Sequence, residues 1–274
     1  MSFRRLARPS LVFASAAILS GCVHSTMLLT INADGTGTIE NRTLMTSAAL
    51  AQMRQLSALV GGADGRPFDP FSEQQARELA GRLGEGVALV STRPLSTGDA
   101  EGREAIYAFT DVGKLRLSEG PAAPGNPSVR AGGVNFGGEA GAMSLSLTRT
   151  PAGTSLLTLR LARSGLAEIV DRVGGGSRGS PQGSELALLR QMLAGLHVAL
   201  RVQPSGRLVR TSSPYVDSQT VTIFDVDLDP LLADPAALAR LQNARTPADA
   251  VDALNAAPGI KLNLDPEVTI EFMD

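Results

Sequence analysis

The sequence predicts an α+β fold: an antiparallel sheet built from hairpins and partly covered by amphipathic helices, with an apolar cavity between them as one outcome. Three observations favour this class. Short runs of β-branched and apolar residues alternate with turn-forming Gly, Pro and Asp. Stripes of Leu, Val and Ala at helical spacing stand between those runs. Hydrophobic residues make up 43% of the chain but aromatic residues only 4%, so the helices must cover the strands with aliphatic side chains.

The amino terminus has the parts of a bacterial lipoprotein signal peptide. Residues 1–21 begin with a positive stretch that contains three arginines, and residues 11–19 form an apolar run too short to span a bilayer. The run ends in Leu-Ser-Gly-Cys, a lipobox whose cysteine, Cys22, is the only one in the chain. We therefore expect cleavage before Cys22 and its modification with acyl chains such as palmitate, which would anchor the protein to a membrane.

Cys22 and the residue after it indicate where in the cell envelope the protein is located. An ordinary secretory signal is the alternative, but exported proteins favour even numbers of cysteines, and lipidation of Cys22 accounts for the odd one. Val23 stands where an aspartate would favour retention at the inner membrane. By resemblance to enterobacterial sorting rules, the predicted location is the outer membrane facing the periplasm, with the inner membrane as the alternative.

The rest of the chain is long enough for one α+β domain with a packed core. Residues 22–26 are predicted as a lipidated tether, 27–120 as a ββααββ region and 121–141 as a Gly/Pro-rich loop. Residues 142–274 form a region of hairpins and helices that completes the domain. The formal charge of −2 argues against a nucleic-acid partner.

The 27–120 region begins with a hairpin, because two strand-like runs, 27–31 and 38–45, flank a turn that contains Asp-Gly. Two helices are predicted next. Ser47 is the predicted N-cap of one, and the other starts at Ser72, which has capping-box spacing to Gln75. The two strands that close this region are predicted at residues 87–92 and 104–110.

The 142–274 region contains two more predicted hairpins, 142–148 with 154–161 and 197–202 with 208–211, each around a turn with Pro and Gly. Further strands are predicted at residues 220–228, 260–264 and 268–272. Helical stripes occupy residues 166–173 and 186–196, and two more helices start at Asp234-Pro235 and Thr246-Pro247.

Three stretches resemble the LppM-like lipoprotein domain family of actinobacteria. They are the hairpin at 27–45 behind the lipobox, the strand at 103–112 that ends in Phe-x-x-Val, and the run at 198–223. The resemblance implies a domain that holds an amphiphilic lipid in an apolar cavity between sheet and helix. That family also tends to carry a membrane helix near its end, which the hydropathy of this sequence does not predict. The segments 121–141 and 174–183 depart further from it.

Candidate catalytic groups are sparse. His24 falls in the predicted tether and His197 at a predicted junction between helix and strand, and neither has a sequence neighbour suited to a triad or a metal pair. No Gly-x-Ser-x-Gly motif occurs. The sequence therefore predicts neither an enzyme nor a bound cofactor.

Two weaker ligand signals remain. Asp225, Asp227 and Asp229 alternate along a predicted strand, so their carboxylates would face one way and could bind a hard cation such as calcium. The EF-hand pattern fails around them, and a solvated strand face is the alternative. The glycine-rich run 174–179 lacks the lysine of a phosphate-binding loop and is predicted as a flexible loop.

These observations predict a lipid-anchored envelope protein without catalytic activity, whose body binds a lipid or another amphiphile. The basis is the membrane anchor, the aliphatic core and the family resemblance. A structural or accessory lipoprotein of an envelope protein assembly is the alternative. An apolar cavity with an open mouth would favour the first function, and a solid core the second.

Overall fold

A computed structural model describes residues 23–60, 69–118, 142–161, 194–244, 246–263 and 265–274. The predicted signal peptide, Cys22, the 121–141 loop, the 166–173 helix, the 174–179 run and most of the 186–196 helix lie outside the described residues.

The strands of the described chain are β1 (Val23–Ile31), β2 (Gly37–Thr46), β3 (Val87–Thr97), β4 (Ala100–Phe109), β5 (Leu117–Ser118), β6 (Ala142–Arg149), β7 (Ser155–Arg160), β8 (His197–Pro204), β9 (Arg207–Thr211), β10 (Val216–Asp217), β11 (Thr220–Asp227), β12 (Ile260–Leu262) and β13 (Glu267–Met273). Its helices are α1 (Ser47–Val60), α2 (Glu73–Leu83), α3 (Leu228–Ala233), α4 (Pro235–Asn243) and α5 (Pro247–Asn255). The fold is mixed α+β, as predicted.

The strands form two sheets rather than the one that was predicted. Sheet A has the order β10-β11-β8-β1-β2-β4-β3, with β12 paired to β11. Sheet B has the order β5-β6-β7-β13-β9. Pairing is antiparallel throughout except between β1 and β8, which run parallel.

The core lies between the two sheets. Leu29 and Tyr107 of sheet A and Leu157 and Phe272 of sheet B are fully buried and belong to one continuous cluster of packed side chains. α2 packs its buried residues, among them Ala80, against the same cluster. Fully burying one such large side chain contributes roughly 1.5–3 kcal/mol. Packing between sheets is therefore the main source of stability in the described part of the chain.

Helix starts follow local signals closely. The Ser72 hydroxyl accepts a hydrogen bond from the Gln75 N–H, and Asp234 and Thr246 cap α4 and α5 in front of their prolines, so these predicted starts are confirmed. The start of α1 is different. Its first turn is capped by the Thr46 hydroxyl, which accepts a hydrogen bond from the Ala49 N–H, while the predicted cap, Ser47, donates to a backbone carbonyl in the β3–β4 turn.

The predicted 197–211 hairpin is wrong. β8 lies in sheet A between β1 and β11, while β9 lies in sheet B beside β13. The turn between them carries the chain from one sheet to the other. Gly206 allows this crossing, since a Cβ there would stand 2.1 Å from the carbonyl oxygen of Met273. Both edges of β8 are already paired, which leaves none for β9.

Two further predictions need correction. β1 begins at Val23, so residues 23–26 form a strand that pairs with β2 and β8 rather than a tether. β3 and β4 extend toward each other beyond the predicted strands and meet at a short turn around Gly98, where φ is +58°. Among the added residues Arg93 forms an ion pair across the strands with Glu104, which lies opposite it.

Candidate functional site

Cys22 precedes the first described residue, so its lipidation stays a prediction. Strand β1 starts at the next residue, Val23. In the part of the chain that the structure describes, no helix has both the length and the apolar character needed to cross a membrane.

The three aspartates of the proposed cation site are not brought together. β11 ends at Asp227, and Asp229 lies in α3, so the premise that all three share a strand is wrong. Asp227 caps α3 by accepting a hydrogen bond from the backbone of Asp229, and Asp229 accepts one from the N–H of Gly195 at 2.6 Å. Among the described residues no group of three or more His, Cys, Asp or Glu side chains is arranged to hold a metal ion.

Asp225 instead joins two basic side chains of β8, His197 and Arg201. One carboxylate oxygen lies 2.8 Å from His197 Nε2, and the other accepts a hydrogen bond from Arg201 Nη2, also at 2.8 Å. The register explains the geometry, because Asp225 lies opposite Ala199, midway between the two. The His24 ring on β1 meets the His197 ring edge to face, with centroids 5.7 Å apart. This His197–Asp225–Arg201 cluster joins β8 to β11.

The cluster shifts the protonation of its members. Burial opposes ionisation of Asp225, but the hydrogen bonds from His197 and Arg201 outweigh it, and the pKa of Asp225 is lowered. The hydrogen bond to Asp225 raises the pKa of His197 against the opposing effect of burial. Because both carboxylate oxygens are occupied, the cluster is suited to holding two strands together rather than to acting as a free base.

The His197–Asp225 pair predicts a pH dependence of stability. Since the folded pKa of His197 lies above its unfolded value near 6.5, the stabilisation is complete below that value and is lost as the pH rises through the folded pKa. We expect the free energy of unfolding to fall more in the wild type than in His197→Gln over this window. Urea denaturation between about pH 5.5 and 8.5 measures it. Parallel pH profiles for the two proteins would contradict the assignment.

A second charged group ties β3 into sheet A. Glu104 on β4 is 5% exposed and accepts hydrogen bonds from Arg93 Nε and Nη2 at 2.6 and 2.9 Å, while Arg42 Nε of β2 lies 2.8 Å from it. The hydrogen bond from Arg93 is the largest of the influences that lower the pKa of Glu104. The three side chains cross three neighbouring strands. They hold the terminal strand β3 in place.

A groove of about 600 Å³ lies between α2 and β3. Its walls are Glu73, Arg77 and Ala80 of α2 and the consecutive residues 89–92 of β3. Glu73 and Arg77 form an ion pair with each other. Val90 is 62% exposed and occupies a β-bulge, where the register between β3 and β4 shifts. The groove is open and half polar, unlike the apolar cavity that the sequence suggested.

Comparisons with known proteins add little to this geometry. No family model matches the chain, and no curated protein matches it. One solved structure is similar, the NMR structure of the folded domain of the Mycobacterium tuberculosis LppM protein. The match covers 97% of this chain and 95% of that chain, at 12% sequence identity and a TM-score of 0.33. A TM-score this low does not establish a shared fold.

Sequence reasoning missed both the groove and the His197–Asp225–Arg201 cluster. His197 and Asp225 lie far apart in the chain and meet only through the pairing of β8 with β11. The groove depends on β3 being the last strand of sheet A. Its only local signal is the apolar run Val-Ala-Leu-Val at residues 87–90, which an edge strand would not normally carry.

Proposed function

We propose that the protein is a lipid-anchored component of the bacterial envelope that acts by binding rather than by catalysis, as an accessory subunit of a protein assembly. The observation that carries this proposal is the outer edge of β3, which pairs with no other described strand and lies beside the α2–β3 groove. A long strand edge with exposed apolar side chains is a common site for association between proteins.

The anchor supports an envelope role. The lipobox ending at Cys22 is followed directly by strand β1. Acyl chains on Cys22 would therefore hold the beginning of β1, and with it one end of sheet A, against the lipid headgroups. Val23 favours the outer membrane facing the periplasm, with the inner membrane as the alternative.

The packing favours a protein partner over a lipid. Sites for apolar ligands are lined mainly by hydrophobic side chains. The α2–β3 groove is lined in large part by polar ones, Glu73, Arg77, Ser91 and Thr92. The fully buried side chains of the two sheets meanwhile form one packed cluster. The accessory role thus moves ahead of the amphiphile-binding function that the sequence favoured.

Binding of an amphiphile is the second candidate. It is favoured by Leu79, Val87 and Leu89, partly buried apolar side chains at the α2–β3 junction that could contact an acyl chain. The resemblance to the LppM-like family points the same way.

Two measurements separate the candidates. A photo-reactive residue in place of Val90 should give one dominant cross-linked protein in intact cells, whereas one in place of Val216, an exposed valine on the opposite terminal strand, should not. Organic extraction of the natively expressed protein should release no stoichiometric lipid beyond the chains on Cys22. Stoichiometric lipid, or equal cross-linking from both positions, would favour the amphiphile instead.

A further inference from the structure

β3 is the longest of the terminal strands of sheet A in the described chain. Within the described chain it pairs only with β4, and it is 11 residues long, whereas the strands at the other end, β10 and β12, have two and three. Alternate residues of a terminal antiparallel strand point their backbone N–H and C=O groups outward. β3 therefore presents backbone donors and acceptors beside the groove, in a row that the bulge at Val90 interrupts.

The half of β3 that borders the groove lacks two of the usual protections of an edge, a charged side chain and proline, and keeps a third, the bulge at Val90. Natural edge strands carry charges or proline, which discourage pairing with another chain. Residues 87–92, Val-Ala-Leu-Val-Ser-Thr, contain neither. Pro94 comes after them, and Arg93 is engaged by Glu104. The bulge at Val90 leaves that side chain exposed rather than hiding it.

Helix α2 supplies the opposite wall. Glu73 and Arg77 neutralise each other there, so this wall adds no net charge. Ala80 is small and leaves space beside Leu89. A chain lying along β3 would turn every second side chain into this space, because side chains alternate along a strand.

We propose that residues 87–92 accept an extended segment of a partner protein as an added strand of sheet A. The inference rests on the proposed accessory function and names the kind of partner. At about 3.3 Å per residue, six residues of edge match a segment about 20 Å long. Backbone hydrogen bonds supply the affinity, and the groove selects uncharged segments with small β-branched side chains at alternate positions.

The test uses the full lipidated chain in detergent micelles and the probe acetyl-Thr-Val-Thr-Val-Thr-Val-amide. The matched control probe has the same side chains but carries N-methyl groups on its valines, which removes their backbone donors. The unmodified probe should bind and slow amide hydrogen exchange at residues 87–92. The N-methylated probe should bind at least about tenfold more weakly.

Two variants test whether the probe binds at the edge of β3. Val90→Lys introduces an edge charge at an exposed position and should weaken probe binding by about tenfold. Val90→Thr keeps the branched shape and should leave the affinity within about twofold. Because Val90 is 62% exposed, both variants should unfold at the wild-type urea concentration, which the same samples can verify.

Several results would overturn the inference. They are no binding of the probe, equal binding of both probes, slowed exchange elsewhere, or self-association of the protein that Val90→Lys abolishes, which would assign the edge to a second copy. The proposed function fails separately. If the protein binds the probe but Cys22 is unmodified, the docking edge is supported and the lipid anchor is refuted. If Cys22 is acylated but the probe does not bind, the anchor is supported and the docking edge is refuted.

Discussion

Replacing Cys22 by serine is expected to abolish acylation of the protein completely. A serine hydroxyl cannot form the thioether to diacylglycerol that the signal peptidase for lipoproteins requires, so the signal peptide should also remain attached. Each buried CH₂ of an acyl chain contributes about 0.8 kcal/mol, and durable anchoring takes more than one chain. The measurements are incorporation of an alkynyl palmitate analogue and the intact mass of the natively expressed protein.

The matched control for this experiment is Ser20→Ala. Alanine keeps a small residue inside the lipobox, so labelling, cleavage and membrane association should remain as in the wild type. An unmodified Cys22 in the wild-type protein, or labelling of the Cys22→Ser variant, would refute the predicted lipid anchor at Cys22.

Replacing Tyr107 by alanine is expected to destabilise the protein by about 3–5 kcal/mol, the usual cost of emptying a large core position. Tyr107 is fully buried on β4, opposite Ile39 of β2 and Leu89 of β3. Since native domains are stable by only about 5–15 kcal/mol, the loss should be visible as a large shift in the urea midpoint.

Tyr107→Phe provides the contrast. In the described part of the chain the Tyr107 hydroxyl is buried without a hydrogen-bond partner, and burial raises the pKa of Tyr107 to about 12. An unpaired buried polar group costs about 1–3 kcal/mol, so removing it while keeping the ring should leave stability unchanged or raise it by about 1 kcal/mol. If phenylalanine destabilised the protein as much as alanine, the packing of the ring would not explain the effect.

The elements predicted best are those with local causes. The hairpin of β1 and β2 follows from Asp-Gly between two strand-like runs, and the starts of α2, α4 and α5 follow from side chains that cap the next turn. The cap of α1 was predicted at Ser47 but lies one residue earlier, at Thr46. Ser47 instead donates a hydrogen bond to the carbonyl of Asp99. A contact 52 residues away cannot be read from neighbouring residues.

The candidate site depended on contacts of that distant kind. Val90, His197 and Asp225 are visible in the sequence. The sequence does not indicate which strand lies at the end of a sheet or which charged side chains come into contact. The assignment of β8 and β9 to different sheets illustrates the reason, because their turn alone resembles that of a hairpin. Strand partners are chosen by competition among all the edges in the molecule.

The amino-acid order by itself determined the expected lipobox at Cys22, the mixed α+β class and the ends of several helices, because each depends on residues within a few positions of one another. Only the tertiary structure decided that the described strands form two sheets, that β3 ends one of them, and that Asp225 lies between His197 and Arg201. These features arise because segments distant in the chain compete to bury apolar surface and to satisfy backbone hydrogen bonds. A local sequence pattern does not indicate which of the competing strand pairings is the most stable.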